Sequence, residues 1–288
     1  MEEKTLESYW WSLIRDTLLS QDISFISSAG RIFTRNTHLV VPGSVWEKGL
    51  SLTVNDLGYR GLKGKMNQLK RVYYNPEGIQ AAREKLEDRI QKKRDFTSVV
   101  VPTFGSKKDS RSQGYCMNSI VVTYIPKDPR GETKLYVDIF YRITELIQKF
   151  GADLLFLHSI VIPEIIPTDL GPITEVRFSF ANCYVSPLFI PVIYYFVDPT
   201  TLLEVLEERW GTGHQTFKSC FRAVILPFFH KNPDHYKYRT RRLMHLLSLD
   251  HLKEGRINKN KLLAWLKNHP DLAKYAQKFS VERGDIDE

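Results

Sequence analysis

Between Thr97 and Tyr141 the chain offers three short apolar, β-branched runs parted by polar breaks: T-S-V-V-V-P-T at 97–103, Met117–Ile125, and Lys134–Tyr141. Runs of this length, rich in Val, Ile and aromatics, read as strands. The last two are separated by the turn Pro126–Gly131, which predicts a hairpin. Three neighbouring strands make a sheet that has to bury a face, and helical patterns elsewhere supply its cover. Leu6, Trp10, Leu13 and Ile14 fall on one face of a helix over Leu6–Leu19. Pro76 opens a charged, solvent-facing helix reaching about Lys93.

Downstream, Ile143–Phe150 reads as a short helix. Asp153 is placed to cap an apolar helix over Leu154–Ile166, which Pro163 should bend or shorten. Thr174–Val185 reads as another strand. Helices are expected over Pro187–Phe196, Thr200–Trp210 and Thr216–Phe229, then Leu243–Leu252, Lys259–Lys267 and Asp271–Phe279. Ser27–Asn36 reads as a loop or short strand, and Thr37–Tyr59 as short strand-like pieces broken at Pro42-Gly43. The fold class is α/β (α+β), a mixed sheet flanked by helices. The expected division is a main domain over 1–230 and a basic helical C-terminal extension over 231–288.

The chain has 288 residues and 42% apolar content, enough for a sizeable core. No apolar run is long enough to span a membrane, and the acidic start Met1-Glu2-Glu3-Lys4 carries no signal core. Three cysteines without a Cys-x-x-Cys pair support neither a disulfide framework nor a structural zinc site. A cytoplasmic location fits. The net charge of +8 favours anionic partners: nucleotides, nucleic acid or an anionic surface. No Walker loop occurs around Gly61 and Gly64.

Cys116 is the candidate nucleophile. It opens a strand after a Gly-containing loop, where nearby cations would favour its thiolate. Arg142, at the end of the following strand, is a candidate for that cation or for a phosphate ligand. Arg31 and Arg35 are either further phosphate ligands or simply solvated.

The order Cys116, then Phe140-Tyr141-Arg142-x-x-Glu145, then Asp153 eleven residues after the arginine, then Asn182-Cys183-Tyr184, resembles the thymidylate synthase family. That family includes deoxycytidylate hydroxymethylases. Its members place a cysteine before a strand, then Q-R-S-x-D, then an asparagine eleven residues on, then His-x-Tyr. The resemblance covers roughly residues 97–185 and lies in order and spacing. It implies that Cys116 adds to C6 of a pyrimidine, so that C5 attacks a one-carbon unit from 5,10-methylenetetrahydrofolate.

It further implies that Arg142 binds the nucleotide phosphate and that Glu145 stands for the aspartate contacting the pterin. Tyr184 would bond the deoxyribose hydroxyl, with Asn182 in place of the histidine. Glu47, in V-W-E-K-G, is matched to the glutamate that organises proton transfer. A homodimer formed through the large sheet is implied as well.

The departures carry information. A carboxylate at 153 offers acceptors only, which suits the exocyclic amine of cytosine better than N3–H and O4 of uracil. The alternative, that Asp153 is only a helix cap, stays open. The family's Ser-Arg-Arg becomes Phe96-Thr97-Ser98, with Arg94 out of register, and Ile143 replaces the serine after the arginine. Each lost charge-assisted bond to phosphate costs roughly 1.5–3 kcal/mol, unless Arg31, Arg35 or Lys107 compensates.

Two functional classes follow. One is a pyrimidine nucleotide C5 one-carbon transferase, of the methyl or hydroxymethyl kind. The other is a non-catalytic or nucleic-acid-associated protein on the same scaffold. The second is motivated by the basic, tyrosine-bearing segment His235–Arg242 (H-Y-K-Y-R-T-R-R) within 231–266.

Overall fold

The computed structural model describes residues 4–19, 23–26, 31–51, 62–102, 116–185, 198–215, 217–218, 220–222 and 259–274. Lys107, the segment His235–Arg242, and the helices expected over Pro187–Phe196 and Leu243–Leu252 lie outside the described residues. The chain divides into two compact units. The first takes Met1–Leu13, Thr34–Asn55 and Tyr59–Cys183. The second takes Ile14–Phe33, Asp56–Gly58 and Tyr184–Glu288.

In chain order the elements begin with α1 (Leu6–Leu19), β1 (Ile23–Ile26), β2 (Ile32–Pro42) and α2 (Gly43–Trp46). Next come α3 (Leu62–Tyr73), α4 (Pro76–Gln91), β3 (Thr97–Pro102), β4 (Met117–Ile125) and β5 (Lys134–Tyr141). They continue with β6 (Thr144–Glu145), α5 (Gln148–Phe156), α6 (Ile162–Ile165), β7 (Glu175–Val185), α7 (Pro199–Trp210) and α8 (Lys259–Lys267).

The first unit is a mixed sheet flanked by helices, as the pattern of runs led us to expect. Strand order is β2-β7-β5-β4-β3, with β6 beside β7. β3, β4 and β5 are antiparallel neighbours, whereas β5 and β7 run parallel. Parallel strands need a crossover, and the helical run from α5 to α6 supplies it.

Alternation sets the two faces. Val101, Ile120, Ile139 and Phe178 form one row across the inner face, and Val99, Val122, Val137 and Val176 form the next. All eight are buried. Phe150 of α5 packs edge-on against Tyr141, Phe178 and Phe180 of this face. The outer rows are Val100, Val121, Asp138 and Arg177, then Ser119, Phe140 and Ser179.

Four expectations need correction. β2 is one strand of eleven residues, not pieces starting at Thr37. Its buried positions change parity from Thr34 to Leu39 and Val41 because Asn36, at φ 51°, inserts a left-handed residue that Asn tolerates. α3 was not anticipated, although Leu62, Met66, Leu69 and Tyr73 carry helical spacing.

The helix placed at 143–150 instead starts at Gln148, after the short strand β6. Asp153 therefore sits inside α5 and caps nothing. The disturbance expected at Pro163 is present, and the helix continues past it to Ile165. Proline brings no N–H and its ring crowds the carbonyl four residues back. A π-turn over Leu157–Val161 intervenes and the helix resumes as α6.

α2 seats through backbone on the residues just ahead of β7. The Gly43 N–H donates to the Thr174 carbonyl at 2.9 Å. A Cβ at residue 43 would fall 1.5 Å from the Ile173 oxygen, so no side chain fits.

Candidate functional site

Cys116 lies just ahead of β4, at the end of the sheet where β5 and β7 finish. The Arg142 N–H donates to the Cys116 carbonyl at 2.7 Å, which makes these residues cross-strand neighbours. Asn182 of β7 donates to the Arg142 carbonyl twice, from its backbone N–H at 3.1 Å and from Nδ2 at 3.3 Å. Three of the residues singled out by spacing thus occupy adjacent strands at one level.

A bulge helps to place them. Met117 pairs with Tyr141 and Ser119 pairs with Phe140, leaving Asn118 as an extra residue. Bulges of this kind re-aim the side chains beside them.

The thiol does not stand alone. The Tyr73 hydroxyl, at the last residue of α3, is within hydrogen-bonding reach of both the Cys116 N–H and the Cys116 thiol. Burial raises the Tyr73 phenol far above its ordinary value, and the nearby Asp153 carboxylate adds to this. Burial likewise raises Tyr141, followed by Asp153, Tyr73 and Cys116. The Tyr141 hydroxyl is fully enclosed and has no hydrogen-bond partner at good geometry, yet it leans on the Asp153 carboxylate.

Asp153 is itself 3% exposed. A buried carboxylate is costly without polar company, and two phenols that stay protonated at neutral pH provide it. Three elements therefore contribute to one cluster: Tyr73 from α3, Asp153 from α5, and Cys116 with Tyr141 from the β4–β5 hairpin. Cys116 is half-buried, whereas Cys183 and Cys220 are buried. Cys183 contacts the Thr34 hydroxyl at 3.0 Å.

The other sequence candidates stand elsewhere or hold different partners. Both oxygens of Glu145 accept backbone N–H groups at the start of α5, from Ile147 at 3.0 Å and Lys149 at 3.2 Å. It is 4% exposed. Glu47 caps the end of α2 and is exposed, its N–H bonded to the Gly43 carbonyl. Arg35 is exposed on β2. Arg94 is exposed and its N–H donates to the Arg89 carbonyl.

Arg31 and Tyr184 belong to the second unit. There the Arg31 guanidinium lies over the Tyr184 ring at 5.4 Å, and Phe33 packs on the same ring at 4.9 Å. Sequence reasoning missed Tyr73 and Tyr141. The helical spacing ending at Tyr73 was the available signal for the first. Tyr141 was in view as part of Phe140-Tyr141-Arg142, but nothing local shows that it meets Asp153.

Among the described residues no group of His, Cys, Asp and Glu is arranged to hold a metal ion. No helix among them is long and apolar enough to cross a membrane. No protein family model matches the chain, and no curated protein matches it. Among solved structures, it is similar to thermostable thymidylate synthase A from Bacillus subtilis. That match has 12% identity and a TM-score of 0.40, and it covers 66% of this chain and 83% of the other.

Proposed function

We propose that the chain is a pyrimidine nucleotide C5 one-carbon transferase whose nucleophile is Cys116. The observation that carries this reading is the cluster of Cys116, Tyr73, Tyr141 and Asp153, with Arg142 joined to Cys116 across the strands through the backbone. The Cys116 sulfur forms a bond to C6, and the electron pair of the C5–C6 double bond moves to C5. C5 then attacks a one-carbon electrophile. Loss of the C5 proton and elimination of sulfur restore the ring, so the enzyme is recovered unchanged.

Each residue has a task in this scheme. Tyr73 holds the sulfur in one orientation. Asp153 accepts a hydrogen bond from the exocyclic amine of a cytosine base, and Arg142 pairs with the phosphate. Methylenetetrahydrofolate is the donor that the resemblance implies. The Glu145 carboxylate is enclosed and engaged at the start of α5, which does not fit a pterin contact, so no step is assigned through that cofactor.

The outer face of the sheet, with Val100, Phe140 and Val40 exposed, suits contact with a second copy of the chain.

Release of tritium from C5-labelled deoxycytidylate and deoxyuridylate, with and without methylenetetrahydrofolate, tests the reaction. Release that disappears in Cys116→Ser is expected. Equal release from wild type and Cys116→Ser, or none from either nucleotide, contradicts the reading.

A second reading is a nucleic-acid-associated protein on this scaffold. The exposed Lys261 and Lys267 of α8 favour it, together with the basic segment before them. Oligonucleotide binding that weakens steeply with added salt would support it. Binding that is absent or insensitive to salt would remove it.

A further inference from the structure

In the second unit, α8 lies alongside α7 and is tied to it near both ends. Lys261 reaches Asp198 at 3.6 Å and the Thr201 hydroxyl at 3.4 Å, at the start of α7. Eight residues further on, His269 reaches Glu207, near the end of α7. The two ties differ in kind. Lysine stays charged throughout the physiological range, whereas imidazole titrates within it.

Both nitrogens of His269 face acceptors. Nδ1 is 2.8 Å from the Trp265 carbonyl, and Nε2 is 2.9 Å from Oε1 of Glu207. A carbonyl oxygen and a carboxylate can only accept. A neutral imidazole has one N–H, so it satisfies one of them and turns a lone pair toward the other. Only the imidazolium satisfies both. The ring also stacks on Trp265 at a centroid distance of 3.9 Å, a position that favours a cation over the indole face.

We propose that His269 is a proton-operated latch: its imidazolium fastens the end of α8 to α7, and loss of one proton loosens that end.

Four residues past the end of α7 the chain carries a second imidazole, the exposed His214, and the His269→Gln variant distinguishes the two. Glu207 faces the ring from α7, which also carries Glu204, Glu208 and Arg209. α8 and the turn after it present Trp265 to the ring, with Lys267 and Asp271 exposed. Phe217 and Phe221 bring only aromatic faces to Trp265. On that same segment Lys218 and Arg222 are exposed, and burial pushes the Cys220 thiol up to about 12.

Partial burial lowers the His269 pKa. The Trp265 carbonyl and then the Glu207 carboxylate outweigh it, and the net shift is upward. A pKa raised in the folded state contributes stability that is complete below the unfolded value of about 6.5. That contribution is lost as pH rises through the folded value. α8 is therefore held most firmly in mild acid.

The test uses the full chain. The His269 ring resonance, assigned by its loss in His269→Gln, is titrated by NMR, and amide exchange of 259–267 is followed over the same pH range. The expected midpoint lies above the ordinary histidine value and falls toward it in Glu207→Gln. Opening of α8, corrected for intrinsic exchange, is expected to rise about tenfold across the midpoint, the scale of one charge-assisted hydrogen bond. In His269→Gln the step disappears.

A midpoint at or below the ordinary value overturns the proposal. So does an equal step in wild type and His269→Gln. Every residue of the Cys116 cluster belongs to the other unit, so either outcome leaves the transferase reading standing or falling by its own test.

Discussion

At Glu145 one carboxylate carries two backbone N–H groups at the start of α5, a task that its spacing from Arg142 does not reveal. Removing such a cap costs about 1–2 kcal/mol, so Glu145→Ala should lower urea stability by that amount and leave C5 exchange by the folded protein intact. Lost exchange with unchanged stability would instead favour a ligand contact. Tyr73→Phe tests the opposite kind of residue. It removes the hydroxyl that bonds the Cys116 thiol and should slow exchange about tenfold, the worth of one hydrogen bond. The Cys116 N–H loses its acceptor as well, so stability to urea should fall by about 1–2 kcal/mol. Order and spacing put Cys116, Arg142 and Asp153 forward as candidates because both are readable along the chain without the fold. The two phenols were not legible as a pair, because their meeting at Asp153 depends on α3, α5 and the hairpin closing over one another.

The β4–β5 hairpin was readable to the residue because its runs alternate and a polar turn separates them. The helix after it was not. The start of α5 is set by the Glu145 carboxylate, whereas Ile143 lies ahead of β6 and Leu146 and Ile147 form the turn behind it. Pro163 was correctly read as a disturbance, but the helix absorbs it in a π-turn whose His158 packs against Trp46 at 5.3 Å. Gly49 leaves room for that histidine. It has φ +69°, and a Cβ there would lie 2.7 Å from the His158 ring. Gly49→Ala should therefore destabilise the fold by about 1–3 kcal/mol through combined strain and contact. A thermal midpoint equal to that of wild type would show that the turn after α2 adjusts freely.

Over the whole molecule, one face of the sheet in the first unit is covered by helices, and the other displays Val40, Val100 and Phe140 beside the ion pair of Arg177 with Glu175. Such a mixed face, with exposed apolar side chains among Ser119, Asp138, Arg177 and Ser179, suits a self-complementary contact. Sedimentation should report a dimer that Val100→Glu with Phe140→Glu converts to monomer; a wild-type monomer at micromolar concentration would contradict it.

The central claim is that the sulfur of Cys116 bonds to a pyrimidine ring, and intact-mass analysis with a 5-fluoropyrimidine nucleotide tests it most directly. Fluorine at C5 cannot leave as a proton does, so the adduct should persist, on Cys116 alone, and vanish in Cys116→Ala. A chain whose mass never changes with or without methylenetetrahydrofolate, or one modified equally in Cys116→Ala, would contradict the account.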